Sequence, residues 1–261
     1  MGLTRFTLAA LNKYMGSERL AKRAANLRRP VLTDKLAVLF ENTVQAGPFK
    51  GLKLVDDAAW GDGDRGSCLL GCYESNLHDS IYHFANRNPK TVINIGCAGG
   101  YYAVGLAKLL PNTKVFAFDI DQNAQDVCGA TAKANHVDDR VFVDGLCTPE
   151  KLSVLAQREG GIFVFMDCEG AELDLLDPQK VPYLERCDIL VETHDMVVSG
   201  ITELLEARLN ISHVLNRVTH GGRNPYELAE IATWSDFDRW VIIDENRPER
   251  MFWLSAGSRV N

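Results

Sequence analysis

"VINIGCAGGYYAVGLAKLL" (residues 92–110) decides the fold. It opens on a β-type run, closes on an apolar helical run, and places Gly96, Gly99 and Gly100 at the junction. Glycines there free the backbone for positive φ and for close approach of a ligand. The helix behind them offers unpaired N–H groups and the positive end of its dipole.

The same alternation continues along the chain. Strands are predicted at 91–95, 114–119, 140–144, 162–167, 188–194, 212–219 and 251–256, and helices at 100–110, 122–136, 150–158, 170–177 and 199–209. Runs such as "IFVFM" (162–166) are apolar at every position, as burial on both faces requires. The expectation is an α/β fold: a Rossmann-like, seven-strand, mostly parallel sheet with one antiparallel edge strand and helices on both faces. Upstream, helices are predicted over 3–28 (breaking at Gly16-Ser17), 34–46 (capped by Asp34) and 75–87, with "AWGDGDRG" (59–66) as a glycine-rich loop. Residues 1–88 therefore read as a helical N-terminal extension with a lid loop, and residues 89–261 as the ligand-binding domain. Residues 1–35 precede every motif and are expected to be dispensable for cofactor binding.

Two ligand classes suit the glycine turn: dinucleotides and S-adenosylmethionine. The dinucleotide fingerprint G-x-G-x-x-G fails, since from Gly96 its second and third glycines fall on Ala98 and Tyr101. G-x-x-G-G suits adenosylmethionine, whose methionine part passes over the glycines with no pyrophosphate to hold. Asp119 closes the second strand, with Ile120 beside it, and is placed to accept the ribose hydroxyls. Asp144 and Gly145 close the third and can take the adenine. Asn94, Cys97, Ala98, Gly99, Gly100, Tyr101 and Asp167 complete the expected cofactor set.

Composition bounds the rest. Net charge is −7, with residues 1–35 carrying eight Lys or Arg against two acids, which leaves the body at −13. An acidic body argues against a nucleic-acid partner. The basic leader reads as a solvated helix face or as a surface for an acidic partner or membrane. No apolar run is long enough for a membrane span, and the N-terminus lacks a signal-peptide layout, so a cytoplasmic protein is expected. Seven scattered cysteines without a C-x-x-C pair read as free thiols. A homodimer is compatible with the sequence.

The order of these features resembles class I S-adenosylmethionine-dependent methyltransferases. "IFVFMDCEGAELDLLDP" (162–178), with its D-x-E-G-x-E element, resembles the signature of FkbM-type methyltransferases, many of which methylate hydroxyls on sugars and other natural-product scaffolds. "LVETH" (190–194) and "LLGCYESNLH" (69–78) resemble that family's next strand and an element before its cofactor loop. The resemblance runs from about residue 69 to 195. Where many class I enzymes carry an acid two positions before the first loop glycine, this chain has Asn94.

Methyl transfer to a hydroxyl needs an in-line approach and a way to remove the proton. Asp167 and Glu169 follow the fourth strand, and Glu192, His194 and Asp195 end the fifth, so these five groups are expected to converge as catalytic base or as ligands of Mg²⁺ or Mn²⁺. Trp60, Tyr73, Glu74, Glu169, His220 and Arg223 are the acceptor-pocket candidates, together with Asp62, Asp64 and Arg65 on the glycine-rich loop. Glu172 is expected to charge the first turn of a helix. The reading is O-methylation of a polar small molecule. Its rivals are a nicotinamide-dependent oxidoreductase and a non-catalytic scaffold subunit of the same fold.

Overall fold

The computed structural model describes residues 16–55, 64–245, 247 and 251–260. Seven strands form one sheet: β1 (Thr91–Ile95), β2 (Lys114–Phe118), β3 (Val141–Asp144), β4 (Ile162–Met166), β5 (Cys187–Thr193), β6 (His213–Thr219) and β7 (Phe252–Ser258). Their order is β3-β2-β1-β4-β5-β7-β6. The five central and left-hand strands pair in parallel, and β7 runs antiparallel to both β5 and β6. The antiparallel strand thus lies one place in from the edge, with β6 outside it.

Helices α1 (Ser17–Leu39), α2 (Arg65–Leu70), α3 (His78–Ala85), α4 (Tyr101–Leu109), α5 (Gln122–Ala134), α6 (Pro149–Ala156), α7 (Glu172–Leu175), α8 (Ile201–Leu209) and α9 (Asp236–Ile243) complete the described elements. β1, β4 and β5 are buried at every residue, which explains the unbroken apolar run of β4 and the mostly apolar sequence of the other two. Their side chains alternate between two cores. Val92, Phe163, Phe165, Leu190 and Trp253 fill one with α4 and α5, while Ile93, Val164, Met166, Ile189 and Leu254 fill the other with α6 and α8.

Upstream, the structure differs from the sequence expectation. Residues 17–39 form one helix, although two helices were expected to meet between 28 and 34. Pro30 sits inside it, and Asp34 is an exposed interior residue rather than a cap. The helix ends at Leu39 because Glu41 and Asn42 turn left-handed, with φ of 50° and 57°. The expected stretch 3–15 lies outside the described residues. The helix expected over 170–177 shrinks to one turn, because Glu169 (φ 55°) and Gly170 (φ 111°) form a tight loop first. α2 and α9 were not anticipated, although Ser235 caps α9 by accepting from the Asp238 N–H at 3.2 Å.

A third cluster joins both ends of the chain. Leu32 and Leu36 of α1 pack with Leu69 and Leu70 of α2 and with Val241, Ile242 and Ile243 of α9. Residues before and after position 88 therefore share hydrophobic clusters. β1, flanked by β2 and β4, is the point where strand order reverses, and the cleft beyond its carboxyl end is the position for a ligand.

Candidate functional site

The turn after β1 is held by the two strands beside it. The Gly96 and Cys97 N–H groups both donate to the Phe118 carbonyl at 2.9 Å. The Ala98 N–H donates to Asp119 Oδ2 at 2.8 Å, and the Asp121 N–H to Asp119 Oδ1 at 3.0 Å. Asp119 therefore ties the glycine loop to β2 with one bond on each oxygen, and each oxygen keeps a further lone pair. Gly96 adopts φ 79°, and a Cβ there would lie 1.6 Å from the Asp167 carbonyl oxygen. Only glycine lets the loop lie so close to the end of β4. Gly100, at φ 88°, starts α4.

A cavity of about 570 Å³ opens over this loop. Of the expected cofactor residues, Gly96, Cys97, Ala98, Gly99, Tyr101, Asp119, Ile120, Gly145 and Asp167 line it. Tyr73 and Glu169, expected at the acceptor, line it too, as do Asp64 and Arg65. Three expected cofactor residues are placed elsewhere. Asn94 is fully buried within the sheet and donates from Nδ2 to the Phe165 carbonyl at 3.4 Å. Gly100 stands behind the loop. Asp144 is turned to Lys151 Nζ at 2.7 Å and to the Gly145 N–H at 2.8 Å. At that end of the cavity, Leu146 and Cys147 supply the lining instead. Trp60 and Asp62 lie outside the described residues.

At the other end β4 and β5 are neighbours, and three of the five strand-end groups meet, while Glu169 stays exposed on the cavity lining. One ligand atom each of Asp167, Glu192 and His194 lies within 4.8 Å of the others. His194 Nε2 is 3.4 Å from Asp167 Oδ1 and 3.6 Å from Glu192 Oε2. Asp167, with its side chain 31% exposed, faces the cavity, and buried Glu192 and His194 stand behind it. Asp195 does not join them, since its carboxylate accepts from Thr202 Oγ1 and from the Gly200 N–H at the start of α8.

Glu172 does stand in the first turn of α7, as expected. It is also fully buried, and its Oε1 lies 2.8 Å from His194 Nδ1, so it orients the imidazole as well. A carboxylate on Nδ1 leaves Nε2 to face the two acids. Burial pulls the His194 pKa down, but the Glu172 hydrogen bond and the charges of Asp167 and Glu172 outweigh it, and the net shift is upward. Burial raises Asp167 and Glu192, and for Glu192 the charges of Asp167 and Glu74 add to it.

Behind this group lies a network that sequence reasoning missed at its centre. The Arg247 guanidinium contacts Glu192, Glu74 and Glu245, the last through Nε at 3.0 Å. Tyr102 donates its hydroxyl to Glu74. Arg223 pairs with Glu245, and His220 Nδ1 lies 3.5 Å from Glu245 Oε2. Glu74, Arg223 and His220 are thus gathered beside the site, but not on the cavity wall. Burial lifts Glu74 to about 8, against the pull of Arg247. The available signal was the charged run "DENRPER" (244–250), which reads as a turn until β7 brings it back to β5.

No protein-family profile and no curated protein matches the chain. Among solved structures it is similar to an O-methyltransferase from Bacillus cereus in complex with SAH, with 14% identity, TM-score 0.47, and 68% of this chain and 79% of that one covered. It is also similar to the O-methyltransferase TomG from Streptomyces achromogenes in complex with SAM (12%, TM-score 0.49, 78% and 92% covered). A precorrin-6y C5,15-methyltransferase from Geobacter metallireducens gives 12%, TM-score 0.48, and 71% and 88% covered. Likenesses at this identity concern the fold.

Proposed function

We propose that the chain is an S-adenosylmethionine-dependent methyltransferase of the FkbM type that methylates a hydroxyl on a sugar or another polar small molecule. The observation that carries this is one continuous cavity, running from a glycine loop anchored by Asp119 to the carboxylate of Asp167. With the ribose on Asp119 and the methionine part over Gly96 to Gly99, the methyl carbon comes to the Asp167 end.

There the acceptor oxygen attacks along the S–C axis. The O–CH₃ bond forms, the S–CH₃ bond breaks, and its electron pair returns to sulfur. The hydroxyl proton passes to Asp167, whose raised pKa makes it a better base than an exposed carboxylate. Glu172 holds His194 behind Asp167, where the imidazole balances the charge.

Asp167, Glu192 and His194 also fit Mg²⁺ or Mn²⁺. Two carboxylates and an imidazole nitrogen converge, and Glu172 fixes the imidazole from behind, as ligating histidines usually require. Such an ion would lower the pKa of a bound hydroxyl.

Titration calorimetry with S-adenosylmethionine, its demethylated product and NAD tests the cofactor reading. Binding of the first two without NAD is expected, and NAD binding tighter than S-adenosylmethionine overturns it. Mn²⁺ titration followed by electron paramagnetic resonance tests the ion: one bound ion, lost in His194→Ala, is expected, and no bound ion in the native chain removes the metal.

A further inference from the structure

α1 has two apolar faces, and among the described residues only one of them is packed into a hydrophobic cluster. Leu32 and Leu36 are buried against α2 and α9. On the opposite side, Leu27, Val31 and Val38 are 72%, 46% and 81% exposed. With Leu20, Ala24 and Asp34 they fall at positions 20, 24, 27, 31, 34 and 38, a strict four-three spacing. That spacing makes a straight seam on a helix and is the pattern by which helices pair. Solvated faces do not need it, and a run of exposed large apolar side chains marks an interaction surface.

We propose that this seam pairs with the same seam of a second copy, antiparallel, about a two-fold axis near position 29. The spacing is self-complementary about that point. Leu20 meets Val38 of the second copy, and Leu27 meets Val31. The one acid on the seam, Asp34, meets Ala24, whose small side chain leaves room, and comes within reach of Arg23 next to it. Arg23 and Asp34 are both exposed in the single chain. The two-fold axis makes this pair twice, so it fixes the register as a lone polar residue does in other helix pairs. The cations nearest the axis are already paired: Arg28 with Asp238, Nε–Oδ1 at 2.7 Å, and buried Arg29 with Asp244 at 3.1 Å. Charge repulsion at the centre is thereby removed. The proposal stands apart from the methyltransferase reading, because none of these residues lines the cavity.

Sedimentation equilibrium on the full chain tests it. A mass of twice the 29.0 kDa chain is expected at tens of micromolar. Val31→Glu, on an exposed position, should give the single-chain mass with an unchanged circular dichroism spectrum. Asp34→Arg should raise the dissociation constant at least tenfold, and Asp34→Arg with Arg23→Glu should restore it. Three results overturn the proposal: a monomer at 100 µM, a dimer that Val31→Glu leaves intact, or a monomer that instead sediments with phosphatidylglycerol-containing vesicles.

Discussion

Gly96→Ala tests the tie between the glycine loop and the catalytic end of the sheet. Two costs act together. The backbone at 96 has φ 79°, where a residue with a Cβ loses about 1–2 kcal/mol. The new Cβ would also stand 1.6 Å from the Asp167 carbonyl oxygen. That oxygen belongs to backbone and cannot rotate away, so loop and strand end must separate by more than about 1 Å to reach ordinary contact. Separation strains the Ala98–Asp119 bond and shifts Asp167 relative to the loop. The expected destabilisation is about 3 kcal/mol or more, or about 6–12 °C in thermal midpoint for a chain of this size. A displacement of this order at a reacting group costs about 10²-fold in turnover. Two other glycines calibrate the scale. At Gly100 the added Cβ meets the Cys128 and Val104 side chains at 3.0 Å, which can yield, so an intermediate loss is expected. At Gly145 it meets only Gln125 Nε2 at 3.8 Å, so Gly145→Ala should be close to neutral in thermal stability, while its place on the cavity wall leaves the titration to report on the adenine end. Calorimetric unfolding of the three variants, with S-adenosylmethionine titration of each, reads the order. Gly96→Ala matching Gly145→Ala in both would refute the reasoning.

Asp119→Ala should weaken S-adenosylmethionine by about 1.5–3 kcal/mol, the scale of losing a charge-assisted partner, and unchanged affinity by calorimetry would take Asp119 out of the site. Asp167→Asn and His194→Ala should each keep cofactor binding while lowering turnover on the true acceptor about 10²–10⁴-fold, and full turnover in both would place the chemistry on other residues. Glu74 is protonated in the fold up to about pH 8 but ionises near its ordinary value when unfolded, so its contribution to stability is complete below about 4.5 and lost as pH rises to about 8. Glu74→Gln should remove a slope of up to about 1.4 kcal/mol per pH unit in that window, and parallel stability-versus-pH curves would contradict this. Starting the chain at Thr33 removes buried Leu32 and the Arg29 bond to the Val241 carbonyl, so the thermal midpoint should fall by about 5 °C or more with cofactor affinity of the folded fraction retained; an unchanged midpoint would show that α1 does not stabilise the fold.

The sheet was legible because its strands carry their own signal. Each is an apolar or alternating run closed by a turn residue, and all seven fall within two residues of expectation. The lining of the cavity over the glycine turn was legible for a related reason: Gly96 and Asp119 sit directly at strand ends, so position in sequence fixes position in space. What stayed hidden depends on contacts between distant segments. Glu172 looks like an ordinary first-turn acid until β5 brings His194 beside it. Asp144 has the right place on β3, but Lys151, seven residues on, takes its carboxylate. Asp34 resembles a cap because local sequence does not show that α1 continues through Pro30 on the strength of its packing against α2 and α9.

Arg247 shows why the site needs both ends of the chain. Its partners come from the segment before β1 (Glu74), from β5 (Glu192) and from the run after α9 (Glu245), and all three carboxylates are nearly or fully buried. Arg223 pairs with Glu245 as well, so Arg247 is left as the one guanidinium on both Glu74 and Glu192, and burial lifts both of these acids. This shortage of positive charge lies beside the Asp167 end of the cavity. In the proposed reading, a sulfonium bound there would bring a positive charge that methyl transfer would then remove. The segment carrying Arg247 leads directly into β7, whose antiparallel insertion between β5 and β6 sets it against Glu192. The strand order that places the glycine loop at β1 therefore also delivers the cation that ties Glu74, Glu192 and Glu245 together.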